Sequence, residues 1–179
     1  PVVLISRMGK FAIAFSGNIL NSVKLRNQLK NEGHSFSSET DIELLGKLIS
    51  YEKNFLNGII KLSEKVKGAY SIVILTKDGI YAARDPYGFK PLILGKKEGS
   101  LAVSSESRPF DILGMEILRD VEPGEVIFIS KKGLDTLTKI KNSHPAFCAF
   151  EWAYTASIDS IIEGIPVIRA RENFGRKLA

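Results

Sequence analysis

The sequence lacks most of the features that mark secreted, membrane and metal-binding proteins. It has a single cysteine, Cys148, so an internal disulfide framework is excluded. It has two histidines, His34 and His144, so a cage of histidine and cysteine ligands around a metal is not expected. No apolar run approaches the ~20 residues that cross a bilayer. We therefore expect a cytoplasmic protein with no metal site and no membrane partner.

A strong excess of one charge sign is also missing. The chain of 179 residues carries 25 Lys and Arg against 20 Asp and Glu, which gives a net charge of +5. Acidic residues are interspersed along most of the chain, and the densest basic stretch runs from Arg169 to Lys177. Such a stretch is more typical of a solvated helix face than of a polyanion-binding surface. We do not expect nucleic acid as a partner.

Helical patterns dominate the first third of the chain, after one short strand predicted at Phe11 to Phe15. The best-specified helix has Thr40 as its cap and Glu43 three residues later, which is the arrangement of a capping box. A short helix is also predicted with Asn21 or Ser22 as its cap and Gly33 at its end, and another from Asn54 to Val66.

Short strand patterns joined by tight turns follow the helices. A β-rich run from Tyr70 to Thr76 is followed by a hairpin signal, Lys77-Asp78-Gly79, and by a second run from Ile80 to Ala83. Short connections join only antiparallel neighbours, because parallel strands need a long crossover. Helices first and antiparallel strands afterwards predict an α+β fold. Further elements are strands near 92–94, 101–104, 117–118, 126–129 and 134–140, and a last helix near 168–178.

Two polar positions are candidates for binding a small ligand. The predicted first strand is followed by a polar break, Ser16-Gly17-Asn18, where Gly17 can bring a backbone N–H close to a ligand or can simply form a turn. Asp41 lies in the first turn of the capped helix. Its carboxylate can bind the ammonium group of a ligand or only complement the helix dipole. The residues by themselves leave both alternatives open at both positions.

Other polar motifs indicate structure more than chemistry. The charged turn Arg84-Asp85-Pro86-Tyr87-Gly88 could line a pocket, but a structural Arg–Asp pair that fixes a loop is favoured. A lone cysteine such as Cys148 is more often a small buried apolar residue than a nucleophile. No glycine-rich phosphate loop with its lysine is present.

Several strings of residues stand in one order along the chain. They are Gly17-Asn18-Ile19-Leu20-Asn21, Thr40-Asp41-Ile42-Glu43, Arg84-Asp85-Pro86-Tyr87-Gly88 with Lys90-Pro91-Leu92, and Arg119-Asp120-Val121-Glu122-Pro123-Gly124-Glu125. In this order they resemble the glutamine-hydrolysing half of the amidophosphoribosyltransferases, which belong to the class II amidotransferases of the N-terminal-nucleophile superfamily. Each string is weakly specific by itself, but their shared order is highly specific.

The resemblance implies an αββα fold, in which two antiparallel sheets lie face to face with helices outside. In that family an N-terminal cysteine thiolate attacks the glutamine side chain, and the released ammonia passes to a phosphoribosyl site in a second domain. Carried onto this chain, Gly17 offers a backbone N–H to the oxyanion and Asp41 binds the glutamine α-ammonium group. The implied organisation is a partial glutaminase domain over residues 1–142, incomplete at its N-terminus, and a linker or the start of a phosphoribosyltransferase domain over residues 143–179.

The sequence departs from the family at functional positions. Pro1 stands at the start, so the nucleophilic cysteine is absent. Ser16 stands where the family has an oxyanion asparagine, and Phe15 where a histidine is usual, so Ser16 is a weaker oxyanion donor. In some members a cysteine that matches Cys148 helps to hold an iron–sulfur cluster, but its partner cysteines lie in the second domain. We therefore expect no cofactor in this chain.

These points predict one part of a glutamine amidotransferase of purine synthesis, inactive by itself because the nucleophile is absent. Whether the chain alone counts as an enzyme stays open. The expected partners are glutamine or a similar amino acid, a missing N-terminal segment or a second domain, and further copies in an oligomer, because missing strands leave sheet edges that invite pairing. The alternative is a degenerate, non-catalytic glutaminase-like module that binds an amino acid or a protein partner.

Overall fold

Two antiparallel sheets lie face to face between helices in the computed structural model, which describes residues 1–141 and 143–179. Asn142, at which the predicted first unit ends, lies outside the described residues, so that boundary stays a prediction. The strands are β1 Val2–Ser6, β2 Gly9–Ile19, β3 Gly68–Leu75, β4 Ile80–Arg84, β5 Ile93–Lys97, β6 Ser100–Ser104, β7 Glu116–Asp120, β8 Glu125–Ser130, β9 Gly133–Lys139, β10 Ile161–Ile162 and β11 Ile165–Pro166. The helices are α1 Ser22–Asn31, α2 Asp41–Ser50, α3 Phe55–Lys65, α4 Arg108–Leu113 and α5 Val167–Leu178, with a π-helical turn at Glu151–Thr155.

The main sheet has six strands in the order β1-β2-β3-β4-β8-β9, and the second sheet has three strands in the order β6-β5-β7. All neighbouring strands are antiparallel, as the short connections in the sequence predict. Strands β10 and β11 pair only with each other and form a small separate hairpin. Among the described helices, none is long and apolar enough to cross a membrane.

One face of the main sheet packs against α2 and α3. Alternate residues of β2 point to this face, so Phe11 and Ile13 are buried, while the helices contribute Leu45, Ile49 and Ile59. The alternate side chains of β2 and the apolar side chains on one side of α2 therefore pack into one core. Burying apolar side chains in this way is the main stabilising contribution to the fold.

The other face of the main sheet packs against the second sheet. Ala82 and Ile127 from the main sheet contact a cluster that contains Leu94 of β5. On the outer side of β5, a Cβ atom added to Gly95 would lie 2.8 Å from the ring of Phe110 in α4. Helix α4 therefore covers the outside of the second sheet, and the predicted αββα architecture is confirmed.

The predicted polar break at residues 16–18 is wrong. Strand β2 continues to Ile19, and Ser16 and Gly17 pair with Ser71 and Tyr70 of β3. Pairing with a neighbouring strand overrides the local preference of serine, glycine and asparagine for turns. Strand β1, helix α4 and the hairpin of β10 and β11 are not predicted from the sequence, although the apolar run from Val2 to Ile5 is typical of a strand.

Candidate functional site

The end of β2 and the start of α2 meet through one hydrogen bond. The backbone N–H of Ile19 donates to Oδ2 of Asp41 at 3.2 Å. Asp41 is the first residue of α2, where unpaired backbone N–H groups and the helix dipole favour a carboxylate. Ile19 lies two residues after Gly17 on the same strand. The two predicted binding residues, Gly17 and Asp41, therefore lie at the same end of β2.

The backbone N–H of Gly17 points to an edge of β2 that no described strand covers. Hydrogen-bonding direction alternates along an antiparallel strand, so residues 17 and 19 direct their N–H groups to the same side. The N–H of Ile19 is directed to Asp41, and the pairing of β1 with β2 ends at Val2 and Ile13. A negatively charged oxygen at this edge could accept a hydrogen bond from Gly17.

Glycine is required at position 17 for packing as well. Gly17 has a φ of +155°, and a Cβ atom added there would collide with the backbone carbonyl oxygen of Ala69 in β3. The close approach of two strands therefore explains this glycine without any ligand. The absence of a side chain also leaves the backbone N–H accessible, so the packing and binding explanations are compatible.

Ser16 lies beside Gly17, but its side chain lies on the face of β2 opposite the helix-side core. Phe15 packs against that core, and the next residue of a strand points to the other face. Across the sheet Ser16 is in register with Ser71, which is in register with Arg84. Ser71 and Arg84 are both buried. A polar row therefore crosses β2, β3 and β4 on the face toward the second sheet.

The predicted capping box at the start of α2 is wrong. Thr40 precedes the helix in an extended conformation, but its side chain makes no capping hydrogen bond. The carboxylate of Glu43 instead accepts from the N–H of Ser37 at 2.9 Å and from the N–H and hydroxyl of Ser38 at 2.7 and 2.8 Å. Burial raises the pKa of Glu43, but these hydrogen bonds, with Lys47, outweigh it and hold the pKa below its usual value.

Arg26 of α1 holds the same loop from the other side. Its guanidinium donates to the carbonyl oxygens of Ser38 at 2.9 Å and Thr40 at 3.0 Å, and it lies over the ring of Phe36. Neither Arg26 nor Glu43 is predicted from the sequence as a support of Asp41. The available signal was a charged residue within an apolar pattern, because Arg26 directly follows the buried Leu25.

The predicted ion pair between Arg84 and Asp85 is replaced by separate partners. The salt bridge of Arg84 is made with Glu163, at 2.6 Å. The fully buried carboxylate of Asp85 accepts backbone N–H groups, and burial raises its pKa more than these hydrogen bonds lower it. The donors to Asp85 are the N–H groups of Tyr70, Tyr87 and Phe89, and Arg84 also donates to the carbonyl oxygens of Gly88, Lys90 and Val121. The two charged side chains still fix the loop, as the sequence predicts.

The residues present do not fit an iron–sulfur cluster. Cys148 is the only cysteine of the chain, and it lies in the C-terminal segment, just before the π-helical turn. Within residues 1–141 and 143–179, no three His, Cys, Asp or Glu side chains are grouped so that they could hold a metal ion. That the chain carries no cofactor stays a prediction.

Comparison with known families gives one match that covers most of the chain. A family described as "Glutamine amidotransferase domain" matches residues 1–111. This range contains β1 to β6 and α1 to α3. It therefore includes both Gly17 and Asp41.

Individual relatives match over nearly the whole chain. It is 39% identical to an amidophosphoribosyltransferase of Archaeoglobus fulgidus over 100% of this chain and 40% of that protein. It is 38% identical to the Bacillus subtilis amidophosphoribosyltransferase over 96% of this chain and 36% of that protein. The solved structure of the B. subtilis glutamine phosphoribosylpyrophosphate amidotransferase, complexed with ADP and GMP, superimposes with a TM-score of 0.94 at 35% identity, over 99% of this chain and 40% of that chain. The chain thus spans about two fifths of the length of these relatives.

Proposed function

Because the chain belongs to the glutamine amidotransferase domain family, we propose that it forms the glutamine-binding part of a cytoplasmic amidophosphoribosyltransferase. In this proposal glutamine hydrolysis supplies ammonia to phosphoribosyl pyrophosphate in purine synthesis. The observation that supports it best is that the backbone N–H of Gly17 and the carboxylate of Asp41 lie at the same end of β2. The hydrogen bond from the N–H of Ile19 to Asp41 brings them there.

Each of the two residues has a chemical task in this proposal. The Asp41 carboxylate binds the α-ammonium group of glutamine through an interaction of opposite charges. The N–H of Gly17 donates to the oxygen that becomes negative when the amide carbon is attacked. Ser16 would be a second donor, but its hydroxyl is shorter than an asparagine side chain.

The attacking thiolate would come from another polypeptide segment. The only cysteine, Cys148, is not part of the strand and helix that carry Gly17 and Asp41. An apolar part of the main sheet is also exposed on the side of the second sheet, at Val3, Ile5 and Leu75. We propose that a segment beginning with cysteine covers this surface and completes the site, and that the 179 residues alone do not release ammonia.

The test is to add a separately expressed N-terminal segment that begins with cysteine and to measure ammonia release from glutamine. The proposal expects release from the mixture and none from either part. The matched control replaces the first cysteine of the added segment by serine, which removes the thiolate and leaves the rest of the contact in place. Persistent inactivity of the mixture, with both parts folded and associated, would contradict the catalytic proposal.

Binding of glutamine gives a separate test of Asp41. Isothermal titration of the chain with glutamine should show binding that Asp41→Ala weakens. An equal affinity of variant and parent would remove Asp41 from the site.

The expected oligomer is checked by light scattering, and a stable, well-folded monomer would contradict it.

A second function is a non-catalytic module that binds an amino acid or a protein partner. Ser16 in place of the oxyanion asparagine favours it, together with Phe15, whose ring packs against the helix-side core and offers no proton-transferring group. Glutamine binding without ammonia release from the completed complex is the result that this function expects.

A further inference from the structure

The loop before Asp41 is held between two buried side chains of opposite charge. Arg26 is 5% exposed and Glu43 is 4% exposed. Burying a charge costs free energy unless hydrogen bonds or an opposite charge compensate for it. Their ionic partners lie beyond hydrogen-bonding distance: Oε2 of Glu39 is 3.7 Å from Nε of Arg26, and Nζ of Lys47 is 3.7 Å from Oε1 of Glu43. The short hydrogen bonds of both buried charges go to the loop instead.

Ser38 is the residue at which the two charges meet. Its carbonyl oxygen accepts from Arg26, while its N–H and hydroxyl both donate to Glu43. Because Arg26 belongs to α1 and Glu43 to α2, this arrangement also fixes the loop relative to both helices. Charge-assisted hydrogen bonds of this kind are shorter and stronger than neutral ones.

The second hydrogen bond of Arg26 acts directly on Asp41. It is made to the carbonyl oxygen of Thr40, which belongs to the peptide unit that joins Thr40 to Asp41. A peptide unit is planar, so holding its oxygen also restricts the position of the Asp41 Cα atom. The hydrogen bond from Ile19 then restricts the carboxylate at the other end of the side chain.

We propose that Arg26 and Glu43 are positioning residues, which hold the Asp41 carboxylate against β2 so that it can receive an α-ammonium group. The inference rests on the proposed function, because it assigns the two residues to the recognition of glutamine. They touch no substrate atom and act only through the loop and Asp41. The loop is thereby more than a connection between α1 and α2: it sets the selectivity of the site for α-amino acids.

Selectivity for the α-amino group is the decisive readout. The chain and its variants are titrated with L-glutamine and with 4-carbamoylbutanoate, which is glutamine without its α-amino group. The preference is the ratio of the affinity for glutamine to the affinity for 4-carbamoylbutanoate. Glu43→Gln and Arg26→Lys should each lower this ratio about tenfold, because both residues act through the position of Asp41. Their affinity for 4-carbamoylbutanoate should stay that of the parent. Variants that keep the full preference for glutamine would overturn the inference.

The chain offers a matched control. Glu39 lies in the same loop and also faces Arg26, but its side chain is 88% exposed. Glu39→Gln removes one charge near Arg26 without touching the hydrogen bonds to Ser38 or Thr40. It should therefore leave the preference for glutamine unchanged, and a loss as large as that of Glu43→Gln would also count against the inference.

A second measurement separates this inference from the proposed function. The amide hydrogen exchange of Ile19, followed by NMR, reports the hydrogen bond to Asp41 in the absence of any ligand. Glu43→Gln and Asp41→Ala should both speed this exchange by about tenfold, because the Ile19 N–H then separates from its acceptor more often. If the parent binds no glutamine, the proposed function fails, while unchanged exchange of Ile19 in Glu43→Gln rejects the positioning role. Should Glu43→Gln not fold, Arg26→Lys decides by the same two readouts.

Discussion

Nη1 of Arg84 lies 2.6 Å from the carboxylate of Glu163, which is 79 residues later in the chain. Arg84 ends β4 of the main sheet, and Glu163 lies in the turn between β10 and β11. The backbone N–H of Glu163 also donates to the carboxylate of Asp120 at the end of β7. The small C-terminal hairpin is therefore attached to both sheets through the buried Arg84 and the partly buried Asp120.

Glu163→Ala should destabilise the chain. The substitution leaves the buried guanidinium of Arg84 without its ionic partner, although its hydrogen bonds to backbone carbonyls remain. We expect the free energy of unfolding to fall by about 2 kcal/mol, the usual size for loss of a hydrogen bond to a charged group. Urea denaturation measures the change. The control is Glu172→Ala in α5, whose surface ion pairs should contribute less than ~0.5 kcal/mol; equal effects of the two variants would contradict this role of Glu163.

Glu125 should make the stability of the chain depend on pH. Its carboxylate accepts from two nitrogens of Arg119, both at 2.7 Å, and from Thr136. Burial raises the pKa of Glu125, but these hydrogen bonds outweigh it, so the pKa lies below the usual value. The unfolded chain then binds the proton more readily, so this stabilisation is full above the unfolded pKa and is lost as the pH falls through the folded pKa.

Glu125→Gln should therefore lower the free energy of unfolding by about 2 kcal/mol at pH 7. The difference between parent and variant should shrink below the ordinary glutamate pKa of about 4.3. Urea denaturation at pH 7, 5 and 3 measures it. A difference that stays constant over this range would show that the charge of Glu125 is not the cause.

Gly17→Ala should lower the free energy of unfolding far more than the same substitution at a glycine with free space around it. The added methyl group at position 17 collides with the carbonyl oxygen of Ala69, so β2 and β3 must separate locally. We expect a loss of about 3 kcal/mol, typical of overpacking. Gly99→Ala, at a φ of +80° with no neighbouring atom within 4 Å, should cost only about 1 kcal/mol of backbone strain. Thermal unfolding compares the two, and similar losses would contradict the close approach at Gly17.

Ser16→Asn should raise the rate of glutamine hydrolysis in the completed complex. The asparagine amide extends farther than the serine hydroxyl and can donate a hydrogen bond to the reacting oxygen, and one oxyanion donor typically contributes about 10²-fold in rate. The measurement is ammonia release by the complex with the cysteine-initiated segment. The Ser16→Ala variant is the control and should react no faster than the parent; an unchanged rate for Ser16→Asn would mean that position 16 does not face the reacting oxygen.

Most secondary-structure elements could be predicted from local patterns. The apolar stripe of α2, the hairpin signal at Lys77-Asp78-Gly79 and the short connections predicted the helices and the antiparallel pairing that the structure has. The predictions failed where a local pattern competes with a distant partner. Ser16 and Gly17 have turn-forming side chains, yet pairing with Ser71 and Tyr70 makes them part of a strand.

The sequence by itself determined most helices and the antiparallel α+β class, because periodicity and turn signals are properties of neighbouring residues. The αββα arrangement was implied by the resemblance that the family strings around Gly17 and Asp41 carry. Only the tertiary structure decided which partners the charged side chains have. Glu43 holds the backbone of Ser38 instead of capping its helix with Thr40, and Arg84 pairs with Glu163 instead of Asp85. A buried charge is stabilised by whichever polar groups the fold brings within hydrogen-bonding distance, and those groups can lie anywhere along the chain.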